Sequence, residues 1–344
     1  MWSNTSHCAW RDASAGKQAE VVKSQAFLTF NIMSKPTIDR RTALQFIGLA
    51  AGASVVPAAN ASSFTTNPAP FIFSLNMSSI RGQHLGFLKE LEIASKAGFR
   101  HVEIWIDSLR EYLDQGGNLK EAKDRLEILG LTVENCIAFA EWAVDDDTRR
   151  QKGLEQMKKE MDMVAHLGCK RMAATGKGLP QNPSTSLDAI AERYHTVLDL
   201  GDKTGLIPIL ELWGFQKKLD KVSEVTYIAM ESGRKKANIL LDIFHLYRGQ
   251  TPLDTLSLLN PTHVDILHMN DYPATLGANV ITDADRIYPG DGVAPIKRIL
   301  KILKRHDRPL ILSAELFNAT YYKQDALMVA KTCLEKMKKV VVDV

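Results

Sequence analysis

The sequence predicts a (β/α)8 barrel, also called a TIM barrel. From residue 71 onward, short apolar stretches rich in β-branched residues alternate with longer amphipathic stretches, which is the pattern of a parallel sheet covered by helices. The alternation repeats over about 270 residues, close to the usual size of this barrel. No Gly-x-Gly-x-x-Gly motif follows the first strand, so the open dinucleotide-binding sheet, the alternative parallel fold, lacks its signature.

The predicted strands are short runs of apolar residues. They cover residues 71–76, 101–106, 132–139, 170–174, 206–212, 238–243, 263–269 and 309–316. Helical patterns such as LGFLKELEIASKAGF and LDAIAERYHTVLDLGDKTG lie between them, and several end on Gly, the residue that most often follows a helix. No second domain or low-complexity linker interrupts this series.

Composition excludes several classes of protein. The chain is 45% hydrophobic and 24% charged, with a formal charge of +3, which is ordinary for a globular enzyme. The excess positive charge lies within residues 1–61, so the remainder is neutral and lacks the basic surface that nucleic-acid binding requires. Four isolated cysteines form no CxxC motif, and we expect them to be small buried hydrophobic residues.

Residues 33–61 resemble a twin-arginine export signal. The pair Arg40 and Arg41 precedes a mildly apolar run over 43–56 and a small-residue site that ends at Ala61. The alternative is a core helix with basic residues at one end. The expected organisation is an over-extended, disordered start (1–32), a cleaved signal peptide (33–61), a linker (62–70) and a catalytic barrel (71–344).

Such a signal predicts export by the twin-arginine machinery to the bacterial periplasm. This machinery carries folded proteins, which suits a protein that acquires its cofactor before leaving the cytoplasm. No apolar run reaches the length of about 20 residues that a membrane-spanning helix needs, so we expect no stable membrane anchor.

Polar side chains end four successive predicted strands. Glu211 ends the fifth strand, Asp242 the sixth, His268 the seventh and Glu315 the eighth. Active sites of these barrels lie at the carboxyl ends of the strands, and neighbouring strands are about 4.8 Å apart. A buried carboxylate needs a partner. Each residue alone is more often a salt-bridge partner or a core residue, but the four together predict a divalent-metal site.

The ligand types narrow the choice of cation. Three carboxylates and one imidazole, without a thiolate, favour a hard cation. We expect Mn²⁺, with Mg²⁺, Zn²⁺ and Co²⁺ as alternatives.

Further polar and aromatic residues lie near these strand ends. His245 and Asp271 each follow a predicted ligand by three residues, and Arg286 lies in a long loop after the seventh strand. Loops of this length in a compact barrel are usually lids or binding elements. Together with Trp105 and Trp213, which either form an apolar wall or pack in the core, they are the predicted substrate-binding residues.

The segments LLDIFHL, ILHMNDY, TDADRIYPGDG and SAELFNATYYK resemble the xylose isomerase-like barrels of the sugar isomerase and epimerase group. Within that group the chain is most similar to the inosose (2-keto-myo-inositol) isomerases, with LELWGF and HVEIW as supporting matches. The resemblance implies a divalent metal held by Glu211, Asp242, His268 and Glu315. It also implies that the two glutamates act as an acid/base pair, and that the residues at positions 245 and 286 contact substrate oxygens.

The reaction implied is isomerisation or epimerisation of a sugar or keto-inositol. A base removes the proton next to a carbonyl, and the cation stabilises the resulting enediolate. Two alternatives stay open: an exported metal-dependent lyase or isomerase of 3-keto-glycosides, and a non-catalytic sugar-binding barrel. A phosphodiesterase of the endonuclease-four type would need more His and Asp ligands and a basic face, and the neutral chain beyond residue 61 has neither. The expected partner is a small molecule, and the oligomeric state, homo-oligomer included, is left open.

Overall fold

A computed structural model describes residues 69–180 and 184–344 of the chain. The predicted start (1–32), the predicted signal peptide (33–61) and most of the predicted linker (62–70) lie outside the described residues. Within the described part, no helix is long and apolar enough to span a membrane.

Eight parallel strands form a closed barrel in chain order, which confirms the predicted fold. The strands are β1 Phe71–Asn76, β2 His101–Trp105, β3 Thr132–Ile137, β4 Arg171–Ala174, β5 Ile207–Glu211, β6 Asn238–Asp242, β7 Val264–Met269 and β8 Leu310–Ala314. Strand β8 pairs with β1 and closes the ring. Every predicted strand contains an observed strand, and the predicted and observed bounds differ by at most two residues at either end.

Helices surround the barrel. In the described residues they are α1 Phe87–Ala97, α2 Ile106–Asp114, α3 Leu119–Leu129, α4 Asp147–His166, α5 Leu187–Thr204, α6 Val222–Glu231, α7 Ile243–Arg248, α8 Ile296–Leu303 and α9 Ala326–Val340. Side chains of Asn118, Asp146 and Ser186 cap the starts of α3, α4 and α5. Gly98 and Gly205 end α1 and α5 with positive φ, as the sequence predicts.

Strand register brings polar residues to one end of the barrel. Asp242 on β6 lies beside His268 on β7, and His268 lies beside Ser313 on β8. Glu315 follows β8 directly, and its backbone N–H donates to the carbonyl of Met269 at 3.1 Å, so it continues the ladder. The carboxyl ends of β6, β7 and β8 therefore carry adjacent polar side chains.

Three of the four cysteines are buried thiols in the described part of the chain. Cys136, Cys169 and Cys333 are free and buried, and burial raises the pKa of Cys169 and of Cys333 to about 12. The prediction of inert core cysteines is confirmed for these three, and Cys8 lies outside the described residues.

Candidate metal centre and active site

Asp242, His268 and Glu315 form a compact, buried group at the carboxyl end of the barrel. One ligand atom from each residue lies within 4.8 Å of the other two. The Nδ1 atom of His268 is 2.9 Å from Oε2 of Glu315 and 3.4 Å from Oδ2 of Asp242. Three of the four predicted metal ligands are thus brought together with their ligand atoms facing one another.

The imidazole of His268 tests whether this group fits a cation. Its Nε2 atom lies 3.0 Å from Oε2 of Glu103, so Nε2 carries a proton and donates it to that carboxylate. Nδ1 is buried and, although it lies 2.9 Å from Oε2 of Glu315, it makes no hydrogen bond to the residues that the structure describes. A lone pair on Nδ1 that faces two carboxylates is stable only with a positive charge between them, and the residues therefore fit a divalent cation.

Without a cation, a proton on Nδ1 of His268 can supply the positive charge between the ring and the two carboxylates. Burial lowers the pKa of His268, but the charges of Glu103 and Glu315 outweigh this effect and raise it well above its usual value. Because metal binding requires an unprotonated nitrogen, the cation must displace this proton.

Glu103 is a functional residue that the sequence interpretation missed. It is fully buried in the middle of β2. Its carboxylate accepts hydrogen bonds from His268 and from three further side chains, namely Asn76 at 2.8 Å, Asn135 at 2.7 Å and Ser313 at 2.6 Å. These donors compensate its charge and fix the ring orientation of His268. A glutamate inside the otherwise apolar strand HVEIW was the available signal.

Glu211, the fourth predicted ligand, lies beside the group but is not part of the compact triad. It is buried at the end of β5. Burial raises the pKa of Glu211 to about 8, and the charges of Glu315 and Asp242 act in the same direction, against that of His268. Its side chain makes no hydrogen bond to the described residues, so both oxygens are free for a cation or a substrate. Its role as a ligand stays a prediction.

Arg286 reaches from its loop into the centre of the site. Its Nη1 donates to Oδ2 of Asp242 at 2.6 Å and to Oε2 of Glu315 at 2.9 Å. Nη2 donates to Asp283 at 2.7 Å and lies 3.2 Å from Nε2 of His245. The predicted binding loop therefore delivers one fully buried cation to the two carboxylates.

His245 is neutral in this arrangement. Burial lowers the pKa of His245 to about 4, and the charge of Arg286 adds to this effect, while that of Asp242 opposes it. Because Nε2 accepts from Arg286, the ring proton is on Nδ1, which is buried and without a partner in the described residues. His245 can thus donate one hydrogen bond to a bound oxygen.

Asp271 binds backbone groups of its own loop, and its contact with a substrate stays a prediction. Its carboxylate accepts backbone N–H groups from Tyr272 at 2.8 Å, Gly290 at 3.0 Å and Ala294 at 2.8 Å. A Cβ atom at Gly292 would lie 2.4 Å from Oδ1 of Asp271, so the loop requires glycine there. Through these hydrogen bonds Asp271 holds the loop that carries Arg286. Spacing along the sequence could not reveal them.

Trp105 and Trp213 belong to an aromatic row along the site. The ring centroid of Phe139 lies 5.3 Å from that of Trp105 and 6.4 Å from that of Trp213. The indole Nε1 of Trp105 donates to Oδ1 of Asn76 at 2.8 Å, and Nδ2 of Asn76 donates to Glu315 at 3.1 Å. Trp105 is therefore fixed next to the metal group, and contact of either tryptophan with a substrate stays a prediction.

Comparison with known proteins agrees with this arrangement. The family model described as "Xylose isomerase-like TIM barrel" matches residues 91–337. The chain belongs to this family. An inosose isomerase of Bacillus velezensis is 26% identical over 266 residues, which are 74% of this chain and 91% of that protein.

Solved structures of this family share the fold. The crystal structure of the IolI protein with a zinc atom aligns with a TM-score of 0.72 and 22% identity, over 78% of this chain and 98% of that one. A D-psicose 3-epimerase from Clostridium cellulolyticum, solved with D-tagatose, aligns with a TM-score of 0.62 and 16% identity, over 78% of this chain and 99% of that one.

Proposed function

We propose that this barrel is a divalent-metal-dependent isomerase or epimerase of a keto-sugar or keto-cyclitol, active in carbohydrate or inositol metabolism. The observation that carries the proposal is the buried group of Asp242, His268 and Glu315, with an unpartnered Nδ1 facing two carboxylates. The similar proteins support the substrate class, because they include inosose isomerases and an epimerase solved with a ketose.

A divalent cation held by these three residues, with Glu211 as the fourth ligand, supplies polarisation of the substrate carbonyl. The donor set suits Mn²⁺, which we propose as the native cation, and also Mg²⁺, Co²⁺ or Zn²⁺. Zinc is the metal in the similar IolI structure.

Glu211 and Glu315 move the proton in this proposal. Glu211 has two oxygens without hydrogen bonds in the described part of the chain, so it is free to take the proton from the carbon next to the carbonyl. Glu315 is held by Asn76 and Arg286; in its protonated form it returns a proton, and exchange with solvent then restores the starting protonation of both glutamates. Return to the same carbon gives an epimer, and return to the neighbouring carbon gives an isomer.

Other residues orient the substrate. The N–H at Nδ1 of His245 donates to a substrate oxygen. Arg286 holds the carboxylates of Asp242 and Glu315 and contacts a neighbouring oxygen of the substrate. The aromatic row of Trp105, Phe139 and Trp213 packs against the C–H face of the ring.

Export favours a second candidate, a metal-dependent lyase of 3-keto-glycosides. The twin-arginine pattern ending at Ala61 is the observation behind it, and with it we propose a periplasmic location. Both candidates share proton removal next to the carbonyl, and they differ only in whether a group then leaves the neighbouring carbon.

Solvent exchange tests the shared step. We expect Mn²⁺-loaded protein in D2O to incorporate deuterium into a keto-inositol or 3-keto-glucose, measured by NMR. Glu211→Gln should slow the exchange by about 10²- to 10⁴-fold, the usual contribution of a general base. Exposed Glu127→Gln on α3 should leave it unchanged. Release of an aglycone from a 3-keto-glucoside would select the lyase.

Absence of exchange with every keto-sugar or keto-inositol tested would contradict both enzymatic candidates. Binding of these sugars without exchange would instead support a non-catalytic sugar-binding barrel.

A further inference from the structure

A polar cavity lies next to Trp105, on the far side of Arg81. It is bounded by the 3₁₀ segment Met77–Gln83, the first turn of α1 and the helix α2, and its volume is about 560 Å³. This volume is within the range of about 300 to 1,000 Å³ that small-molecule sites occupy. We call it the rim cavity; its lining includes Arg81, Glu90, Ser108 and Tyr112, and none of the predicted site residues.

Two opposite charges line the rim cavity without pairing. Glu90 is 3% exposed, and its Oε2 has no partner among the described residues. Burial raises the pKa of Glu90 to about 7, although the charge of Arg81 acts to lower it. Within residues 69–180 and 184–344, the guanidinium of Arg81 makes no hydrogen bond or ion pair, and it packs over the ring of Trp105 at 4.2 Å. A buried carboxyl oxygen without a hydrogen-bond partner is costly, and a hydroxyl of a ligand in the cavity would supply that partner.

Trp105 connects the rim cavity to the metal group. The metal group consists of Asp242, His268 and Glu315. The guanidinium of Arg81 packs on the ring of Trp105. The indole N–H of Trp105 donates to Asn76, which in turn donates to Glu315. Phe317 packs edge-on against Trp105 with a centroid distance of 5.8 Å. Trp105 thus contacts Arg81 of the rim cavity and is linked through Asn76 to Glu315.

The charge balance of the rim cavity indicates a neutral ligand. Lys89 is paired with Glu92 at 2.9 Å, which leaves Arg81 facing Glu90 and Glu111. No surplus of positive charge is present to bind a phosphate or carboxylate. A donor and an acceptor on the same wall match hydroxyl groups, which both accept and donate, and Tyr112 adds an aromatic surface for a C–H face.

We propose that the rim cavity binds the outer, neutral hydroxylated ring of a two-ring substrate whose keto-bearing ring lies at the metal group. This inference rests on the proposed function for the inner ring. Hydroxyls of the outer ring donate to Glu90 and accept from Arg81.

The test compares one-ring and two-ring substrates, 3-keto-glucose and 3-keto-trehalose, by deuterium exchange. We expect kcat/KM to favour the two-ring compound by about tenfold or more, the effect of one or two hydrogen bonds to charged groups. Glu90→Gln should reduce this preference, and Ser108→Phe, which narrows the cavity, should abolish it. Exchange on 3-keto-glucose should stay unchanged in both variants, and Glu127→Gln should behave as the unmodified protein.

Equal kcat/KM for the two compounds, or a preference for the two-ring compound that both variants keep, would overturn the proposal. If neither compound exchanges its proton, the proposed function fails while the rim cavity is still testable. In that case calorimetry with trehalose and glucose decides: the inference holds if trehalose binds more tightly and Ser108→Phe removes the difference. It fails if the two sugars bind alike.

Discussion

The two ends of the barrel both bury ionised side chains, but they compensate the charges differently. At the amino-terminal end, Asp265 on β7 is fully buried and is bound by three arginines. These are Arg171 at 2.8 Å, Arg305 at 2.9 Å and Arg308 at 2.7 Å. Because β4 and β7 are not neighbours in the ring, the contact between Arg171 and Asp265 bridges the base of the barrel.

At the carboxyl end, negative charge exceeds positive charge. Four carboxylates are buried there, namely Glu103, Glu211, Asp242 and Glu315. The buried positive groups that face them in the described residues are Arg286 and, when protonated, His268. Burial raises the pKa of a carboxyl group, and the two ends differ in what opposes it. At the base, the arginines outweigh burial and the pKa of Asp265 is lowered. At the carboxyl end, burial dominates and raises the pKa of Glu211 to about 8.

Under the proposed function, the charges at the base serve the fold, and those at the carboxyl end bind a cation. Charges that are fully paired by the chain itself stabilise one arrangement of the strands, while an unpaired excess destabilises the protein until a cation binds. Removing a carboxylate at the base should therefore destabilise the protein, and removing one at the carboxyl end should stabilise the metal-free protein.

The largest expected effect is at the base of the barrel. Asp265→Asn removes the shared partner of three arginines, and breaking a buried pair in this way costs about 3 to 5 kcal/mol. Urea unfolding should show this loss in the free energy of unfolding, while Mn²⁺ affinity stays the same. Asp254→Asn, which breaks an exposed pair with Arg298, should cost about 1 kcal/mol or less. A stability loss no larger than in this control would contradict the role assigned to the base.

The next effect concerns pH at the metal end. The folded protein without metal holds a proton on Glu211 more tightly than the unfolded chain does, because its pKa is raised from 4.5 to about 8. The stabilising contribution is complete below pH 4.5 and is lost as the pH rises to 8, by on the order of 4 kcal/mol. In chelator, Glu211→Gln should lack this loss and exceed the unmodified protein in stability at pH 8. If the free energies of unfolding of the two proteins change in parallel with pH, the raised pKa of Glu211 is refuted.

The smallest effect concerns Glu103. Glu103→Gln keeps the size of the side chain but weakens its hold on the imidazole of His268, and changes to such supporting groups usually weaken metal binding by about 10- to 100-fold. Calorimetric titration with Mn²⁺ measures the change, and circular dichroism checks that the fold is intact. Affinity equal to that of the unmodified protein would show that Glu103 serves packing alone.

The sequence predicted the barrel because its strands are short, apolar and separated by periodic helices. The grouping of Asp242, His268 and Glu315 could be predicted because parallel strands place their last residues at one end, while the role of Glu211 as a ligand stays a prediction. Glu103 was missed because it lies mid-strand, where its partners come from β1, β3, β7 and β8. The backbone contacts of Asp271 were not predicted because they depend on how a loop folds back. The rim cavity was not predicted because it combines segments that no local pattern relates.

Metal binding tests the central claim most directly. We predict that protein freed of metal by chelation binds one Mn²⁺ per chain in a calorimetric titration, and that His268→Ala abolishes this binding. Anomalous scattering from crystals soaked in Mn²⁺ should show one peak between Nδ1 of His268 and the carboxylates of Asp242 and Glu315. Absence of both the bound ion and the peak would contradict the account.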